Sequence, residues 1–279
     1  MVFGAANPVS IKLDQVSLVH PNGYRAINQV SCEIGNGERV AIIGPSGAGK
    51  TTLLRLLATA LRPSGGTIRI LGDDPWCIGR AALRKLRCRV GMVHQSPPIP
   101  PRQRVVTAVL AGRLGRWPLW KALGSLVYPV DIEGAGRMLA RMEIADKLFE
   151  RCDRLSGGQM QRVGVARILY QQPDLLLTDE PVAAVDPALS DRILGELNRE
   201  AIERGVMLVA SLHAVDLALH WFPRIIGIRG GEIAFDLPPV RVTDAMLRDL
   251  YASEAAVPTQ GNELLALQPA GVRRKPMCS

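Results

Sequence analysis

The chain has 279 residues, with 34 Lys and Arg against 26 Asp and Glu and a formal net charge of +8. That length suits one large domain or two small ones, and 47% hydrophobic against 22% charged residues excludes bulk disorder. Aromatic residues make up only 4%, so the core must rest on Leu, Val, Ile and Ala.

No apolar run is long enough to span a bilayer, because Arg55, Ser211, His213 or Asp216 interrupts the greasiest windows. Met1–Ser10 has neither a basic n-region nor an apolar h-region, so no secretory signal is expected. Cys32, Cys77, Cys88, Cys152 and Cys278 are scattered, without metal-ligand spacing. They suit reduced thiols of a soluble intracellular protein better than disulfides or zinc. The basic excess clusters at Arg80–Arg89 and Arg102–Arg116 without interleaved aromatics. A solvated surface or an acidic membrane surface accounts for it better than nucleic acid.

In chain order, Ile11–Leu18 alternates as a half-buried strand, Pro21-Asn22-Gly23 turns the chain, and Ala26–Ile34 alternates again. Asn36-Gly37 reads as a hairpin-type turn. Arg39–Ile43 is a β-branched strand running into a glycine-rich loop, and Thr51–Leu61 is a helix. Thr67–Leu71 is a strand, Arg80–Arg87 a basic helix and Val90–Val93 a strand. Ser96–Pro101 is a proline-rich loop. Helical patterns cover Val105–Arg116 and Ile132–Phe149, and a strand follows at Leu175–Thr178. Pro187–Arg204 is a helix, Val206–Ala210 a strand, and Ile225–Arg229 with Glu232–Phe235 a terminal hairpin around Gly230-Gly231. A short helix is expected at Thr243–Tyr251, and a loose tail from Ala255 to Ser279.

Gly44-Pro45-Ser46-Gly47-Ala48-Gly49-Lys50-Thr51 fits G-x-x-x-x-G-K-[ST], between a predicted strand and a predicted helix. Its glycines let backbone N–H groups curl around a phosphate at a helix N-terminus. Lys50 would reach the β- and γ-phosphates, and Thr51 would ligate Mg²⁺. Thr52 continues the loop into the helix. The chain therefore binds a nucleoside triphosphate. The loop alone leaves kinases, recombinases and transport ATPases open, while the absence of N-K-x-D argues against a GTPase.

A second signal is Leu175–Glu180, an apolar strand ending in two acids, as a central parallel strand covered on both faces would. Asp179 would hold the Mg²⁺ shell, and Glu180 would orient or deprotonate a water for in-line attack. Upstream stands Leu155-Ser156-Gly157-Gly158-Gln159, running straight into a helix. Small residues and a serine at a helix N-terminus again suit phosphate contact.

Here the sequence resembles the ABC-type ATPases, whose signature LSGGQ followed by Q-R-V-x-x-A-R appears as LSGGQMQRVGVARIL. The resemblance covers roughly residues 10–236. It implies an α/β P-loop NTPase (RecA-like) core with a parallel sheet, an N-terminal antiparallel β subdomain and a helical subdomain carrying the signature. The cassette would span 10–240, the helical subdomain about 97–172, and a short helix and tail 241–279. The resemblance also implies that Ser156, Gly157, Gly158 and Gln159 touch ATP held by a second copy. Gln95 matches the glutamine that senses Mg²⁺ and faces the membrane partner. His213 matches the histidine that bonds the γ-phosphate, and Asp186 the aspartate that crosses the dimer interface. His20 aligns with the adenine-stacking position, where an aromatic is usual, and the nearby Tyr24 is either a substitute for it or a surface tyrosine on a turn. The segment Val185-Asp186-Pro187 stands in AAVDP, where SLDP is the commoner form.

Within that family, IIGPSGAGKTTLLR and Leu110–Pro129 (LAGRLGRWPLWKALGSLVYP) resemble the phosphonate-import (PhnC-like) ATPases. The proline-rich Ser96–Pro101 departs from their usual form. This likeness implies a homodimeric ATPase on the cytoplasmic face of the inner membrane, using ATP and Mg²⁺. Its partners would be integral permease subunits and a periplasmic or extracellular solute-binding protein. Cassettes importing amino acids or other polar solutes, and non-transport ABC ATPases, are the alternatives.

Overall fold

The structure, a computed structural model, describes residues 9–181 and 187–255. Strands β1 (Val9–Val19) and β2 (Arg25–Gly35) form an antiparallel hairpin around the turn at 20–24. Strand β3 (Arg39–Ile43) follows after a tight turn with Gly37 at φ 73°. That turn is not the hairpin that Asn36-Gly37 suggested, because β2 and β3 lie in different sheets. The residue pattern explains it. β2 buries residues of one face, whereas β3 is buried along nearly its whole length and needs cover on both sides.

Helix α1 (Lys50–Leu57) is shorter than the predicted Thr51–Leu61. The chain leaves it through Thr59 in the left-handed region (φ 57°), with the Ala60 and Leu61 amides closing onto the Arg55 carbonyl. Strand β4 (Gly65–Ile70) pairs antiparallel with β1 and completes a three-stranded sheet in the order β2-β1-β4.

Helix α2 (Arg80–Arg89) leads into strand β5 (Val90–Val93). Four helices follow: α3 (Val105–Leu110), α4 (Leu119–Val127), α5 (Ile132–Arg141) and α6 (Gly157–Gln171). The predicted helix Val105–Arg116 ends early, in a 3-10 turn over Ala111–Arg113. The one expected over Ile132–Phe149 stops at Met142, and Glu143 turns left-handed (φ 53°). That break lets both Met142 and Ile144 point into the core.

Strand β6 (Leu175–Asp179), helix α7 (Pro187–Arg204), strand β7 (Met207–Ser211) and helix α8 (Val215–Trp221) then alternate. Strands β8 (Arg224–Arg229) and β9 (Glu232–Leu237) form the expected hairpin, and α9 (Asp244–Ala255) closes the described chain. The second sheet has six strands in the order β5-β6-β7-β3-β8-β9, parallel except for β9. This is the α/β architecture expected of a P-loop NTPase.

The strand pleat divides the core in two. Ala41 and Ile43 of β3 face the layer of α3, α5, α6 and α7, with Val105, Leu139, Val163 and Leu197. Their neighbours Val40 and Ile42 face α1 and the three-stranded sheet, with Leu54, Ile11 and Ile68. Across the first layer, Arg141 of α5 reaches two acids of α7, Glu196 at 3.0 Å and the buried Glu200 at 2.7 Å.

Candidate functional site

The parallel strands β3, β6 and β7 end together, and the site gathers at their C-terminal edge. Gly44 leaves β3 at φ 152°, where a Cβ would meet the Ile228 carbonyl oxygen at 2.1 Å. Gly49 caps α1 at φ 106°, and a Cβ there would lie 2.5 Å from the Ala26 carbonyl oxygen. Both positions therefore demand glycine.

The loop between them walls a cavity of about 310 Å³ lined by Ser46, Gly47, Ala48, Gly49, Lys50, Thr51 and Thr52. Tyr24, Ala26, Glu180 and His213 complete the lining. The buried Lys50 ammonium folds over the loop, donating to the Gly44 carbonyl at 2.6 Å and the Pro45 carbonyl at 3.0 Å. Pro45 itself is buried behind that wall.

Asp179 ends β6 beside the loop. Its Oδ1 accepts from the Thr51 hydroxyl at 3.0 Å and from the Ser211 hydroxyl at 2.8 Å. Ser211 was not singled out from the sequence. It is brought opposite Asp179 by the β6–β7 register, a pairing between distant segments that no local pattern encodes. Ser211 also holds Glu180, whose backbone N–H lies 3.1 Å from its hydroxyl and 3.2 Å from its carbonyl oxygen. Glu180 is a non-glycine residue in the left-handed region (φ 48°), so its side chain leaves the strand and turns into the cavity. Its Oε1 meets His213 Nε2 at 2.6 Å; the carboxylate is 14% exposed and the imidazole 45%. The three strand ends thus bring the Lys50 ammonium, the Thr51 hydroxyl, the Glu180 carboxylate and the His213 imidazole to one cavity, with the Asp179 carboxylate behind Thr51.

Of the two candidate adenine-stacking residues, Tyr24 is on the cavity wall, with its hydroxyl donating to the Gly47 carbonyl at 3.0 Å. His20 does not line the cavity but stacks against Tyr24, ring centroids 6.2 Å apart and planes 6° from parallel. Gln95 is exposed and lines an adjoining cleft with Pro97, Gly157, Gln161 and Glu180. Glu180 is the wall shared by cleft and cavity.

Ser156 caps α6 in a reciprocal box. The Gln159 amide donates to the Ser156 hydroxyl at 3.3 Å, and the Ser156 amide donates to Gln159 Oε1 at 3.0 Å. Gly157 opens onto the adjoining cleft, while Ser156, Gly158 and Gln159 line neither it nor the phosphate-loop cavity. Asp186 lies outside the described residues. A further contact unread in the sequence is the Tyr251 hydroxyl of α9, which accepts from the Gly44 amide at 3.2 Å. That ties the last described helix to the first residue of the phosphate loop.

A glycine-rich loop between strand and helix, with acids at the end of the parallel strand one removed from it, defines a P-loop nucleotide-binding cassette. More narrowly, the chain belongs to the ABC transporter family, whose profile matches residues 27–183. It is 64% identical over 264 residues to "Phosphonates import ATP-binding protein PhnC 1" of Cupriavidus necator, a match covering 94% of each chain. A protein of Pseudomonas aeruginosa named "Phosphonates import ATP-binding protein PhnC 2" is 61% identical over 88% of this chain and 92% of its own. Among solved structures, a dimeric bacterial ABC transporter cassette superposes with a TM-score of 0.73 at 26% identity, covering 82% of this chain and 98% of that one. An ATP-binding cassette in a dimeric post-hydrolysis state, bound to ADP and Pi, gives 0.71 at the same identity and coverage.

Proposed function

We propose that this chain is the ATP-hydrolysing subunit of an importer for phosphonate or a related phosphorus oxyanion. The observation that carries this reading is 64% identity along 94% of the chain to a phosphonates import ATP-binding protein. The intact Lys50, Thr51, Asp179, Glu180 and His213 constellation supports it chemically.

In this reading the triphosphate of ATP lies over the Gly44–Thr51 loop, where backbone N–H groups and the α1 N-terminus meet its charge. Lys50 exchanges its carbonyl partners for phosphate oxygens. Glu180 accepts a proton from the attacking water, and His213, now on that carboxylate, donates to the γ-phosphate oxygen.

The residues also fit Mg²⁺. Thr51 Oγ1 and Asp179 Oδ1 are two hard oxygens 3.0 Å apart at the cavity edge. Among the described residues no cluster of three His, Cys, Asp or Glu offers an all-protein metal cage. A cation held by one carboxylate, one hydroxyl and the substrate's own oxygens suits that donor set. When bound, it would neutralise developing phosphate charge. Gln95 would join Thr51 and Asp179 once its cleft narrows.

The signature residues Ser156, Gly157, Gly158 and Gln159 lie off the phosphate-loop cavity of their own chain, so the reading needs a second copy facing it. Two copies then enclose two ATP molecules. Among the described residues no helix is long and apolar enough to cross a membrane. In this reading the transport path belongs to separate permease subunits, fed by a periplasmic or extracellular solute-binding protein. The cassette sits peripherally on the cytoplasmic face of the inner membrane.

The test is ATP turnover by the complex reconstituted with its permease and binding protein. Methylphosphonate or phosphite should stimulate it, and amino acids should not. Stimulation by amino acids alone would reassign the cargo, and turnover indifferent to every solute and to the permease would remove the importer reading.

A further inference from the structure

Helix α4 turns apolar side chains outward. Leu119 is 75% exposed, Trp120 76% and Leu123 56%, and Tyr128 just beyond the helix is 70% exposed. At i, i+1 and i+4 the first three share one face of the helix. The opposite side holds the buried Ser125 and the half-buried Lys121 and Ala122. Burying Leu and Trp is worth more than leaving them in water, so a face of this kind needs an occupant.

Charge says which occupant. From Pro75 to Val130 the sequence contains ten Lys and Arg and no Asp or Glu. The fold holds parts of that segment together. Arg116 donates to the Cys88 carbonyl at 3.0 Å and the Gln172 carbonyl at 3.1 Å, tying the approach to α4 against the end of basic α2. Arg80, Arg84 and Lys85 of α2 are exposed. Lys121 lies over the Trp117 ring, 5.1 Å from its centroid.

Arg89 is paired with Asp174 at 2.6 Å, but the remaining basic residues of the segment have no ion pair among the described residues, and with the outward Leu-Trp-Leu face they match the interface of an anionic bilayer. Trp and Tyr settle at headgroup level, and Lys and Arg meet lipid phosphates. A second copy of the same face would oppose like charge with like charge. Cytoplasmic loops of a membrane protein, which carry their own Lys and Arg excess, would do the same.

We propose that the Leu119–Trp120–Leu123 face of α4, with the basic residues beside it, lies in the anionic lipid surface. The cassette then touches the bilayer directly, as well as its permease. The contact depends neither on the cargo nor on nucleotide.

The test is partition of the full chain onto vesicles of phosphatidylcholine, alone or mixed with phosphatidylglycerol. It is read by sedimentation and by tryptophan emission. The wild-type chain should partition onto the anionic vesicles with blue-shifted emission. Trp120→Ser/Leu123→Ser should weaken that partition by about tenfold or more while ATP turnover stays normal. The single Trp120→Ser variant should give an intermediate loss. Arg84→Glu/Lys85→Glu should remove the preference for anionic over neutral vesicles. The proposal is overturned if the wild-type chain stays in solution, or if the double serine variant partitions as well as wild type. A serine variant that keeps its vesicle binding but no longer co-purifies with the permease would assign the face to protein instead.

Discussion

Replacing Glu180 with Gln separates the chemistry of this site from its architecture. Glu180 sits at φ 48°, its amide pinned by Ser211 at 3.1 and 3.2 Å and its carboxylate 2.6 Å from His213. Gln has the same length and can keep a polar contact with the imidazole, so the cavity wall is expected to stay in place. What disappears is the group able to accept a proton from water. A positioned general base is worth about 10²–10⁴ in rate, or about 3–5.5 kcal/mol of barrier. The variant should therefore lose about two to four orders of magnitude in kcat. Its ATP affinity should stay within about threefold of wild type, because a change confined to kcat marks an interaction made only in the transition state. Phosphate release under single-turnover conditions measures the first quantity, and titration with a fluorescent ATP analogue the second. Turnover within about fivefold of wild type would refute the base assignment. Parallel loss of nucleotide binding would show that Glu180 builds the site rather than acting in it.

Lys50→Ala removes the ammonium that now lies on the Gly44 and Pro45 carbonyls. It should cut ATP hydrolysis by about 10²–10³-fold, the scale of one lost transition-state donor, in a steady-state phosphate assay. Arg141→Ala removes the nearer partner of buried Glu200, leaving Arg204 at 3.4 Å, and one of the two arginines on Glu196, leaving Arg199. Losing these charge-assisted hydrogen bonds should cost about 1.5–3 kcal/mol in urea unfolding. Asp131 caps α5 by accepting from the Gly134 amide at 2.9 Å, and it also accepts from the Tyr170 hydroxyl at 2.7 Å. Burial pushes its carboxyl up, but those two hydrogen bonds, together with the positive charges of Arg137 and Arg113, outweigh burial and hold it below the usual carboxylate range. Because the folded-state value is the lower one, this contribution is complete above about pH 4 and fades as pH falls through the folded-state value. Asp131→Ala should therefore lower the unfolding midpoint at neutral pH, by about 2–4 kcal/mol in stability. The gap from wild type should narrow in acid.

The phosphate loop and the acid pair were legible because each is local. A β-branched strand, glycines at fixed offsets and a helix former occupy consecutive residues, as do the apolar run and two acids of β6. Contacts between distant segments were not legible. Ser211 meets Asp179 only through β6–β7 register, and Tyr251 reaches Gly44 only because α9 packs back on the core. The turn at 20–24 sets Tyr24 against Gly47 and His20 behind it, an arrangement that no local pattern encodes. Helix α8 has seven residues, too few to show a period. In α4 the apolar face points outward, which blurs the amphipathic signal. The turn at Asn36-Gly37 was read as a hairpin because turn chemistry says only that the chain reverses. It does not say which sheet the next strand joins.

In the proposed function, the phosphate loop and the signature at Ser156–Gln159 act on one ATP only across two copies of the chain. Light scattering coupled to gel filtration of Glu180→Gln, with and without saturating Mg·ATP, tests this directly. One copy per particle is expected without nucleotide and two with it, the pair persisting because hydrolysis is blocked. A particle that remains a single copy at saturating ATP, with the nucleotide bound, would contradict it.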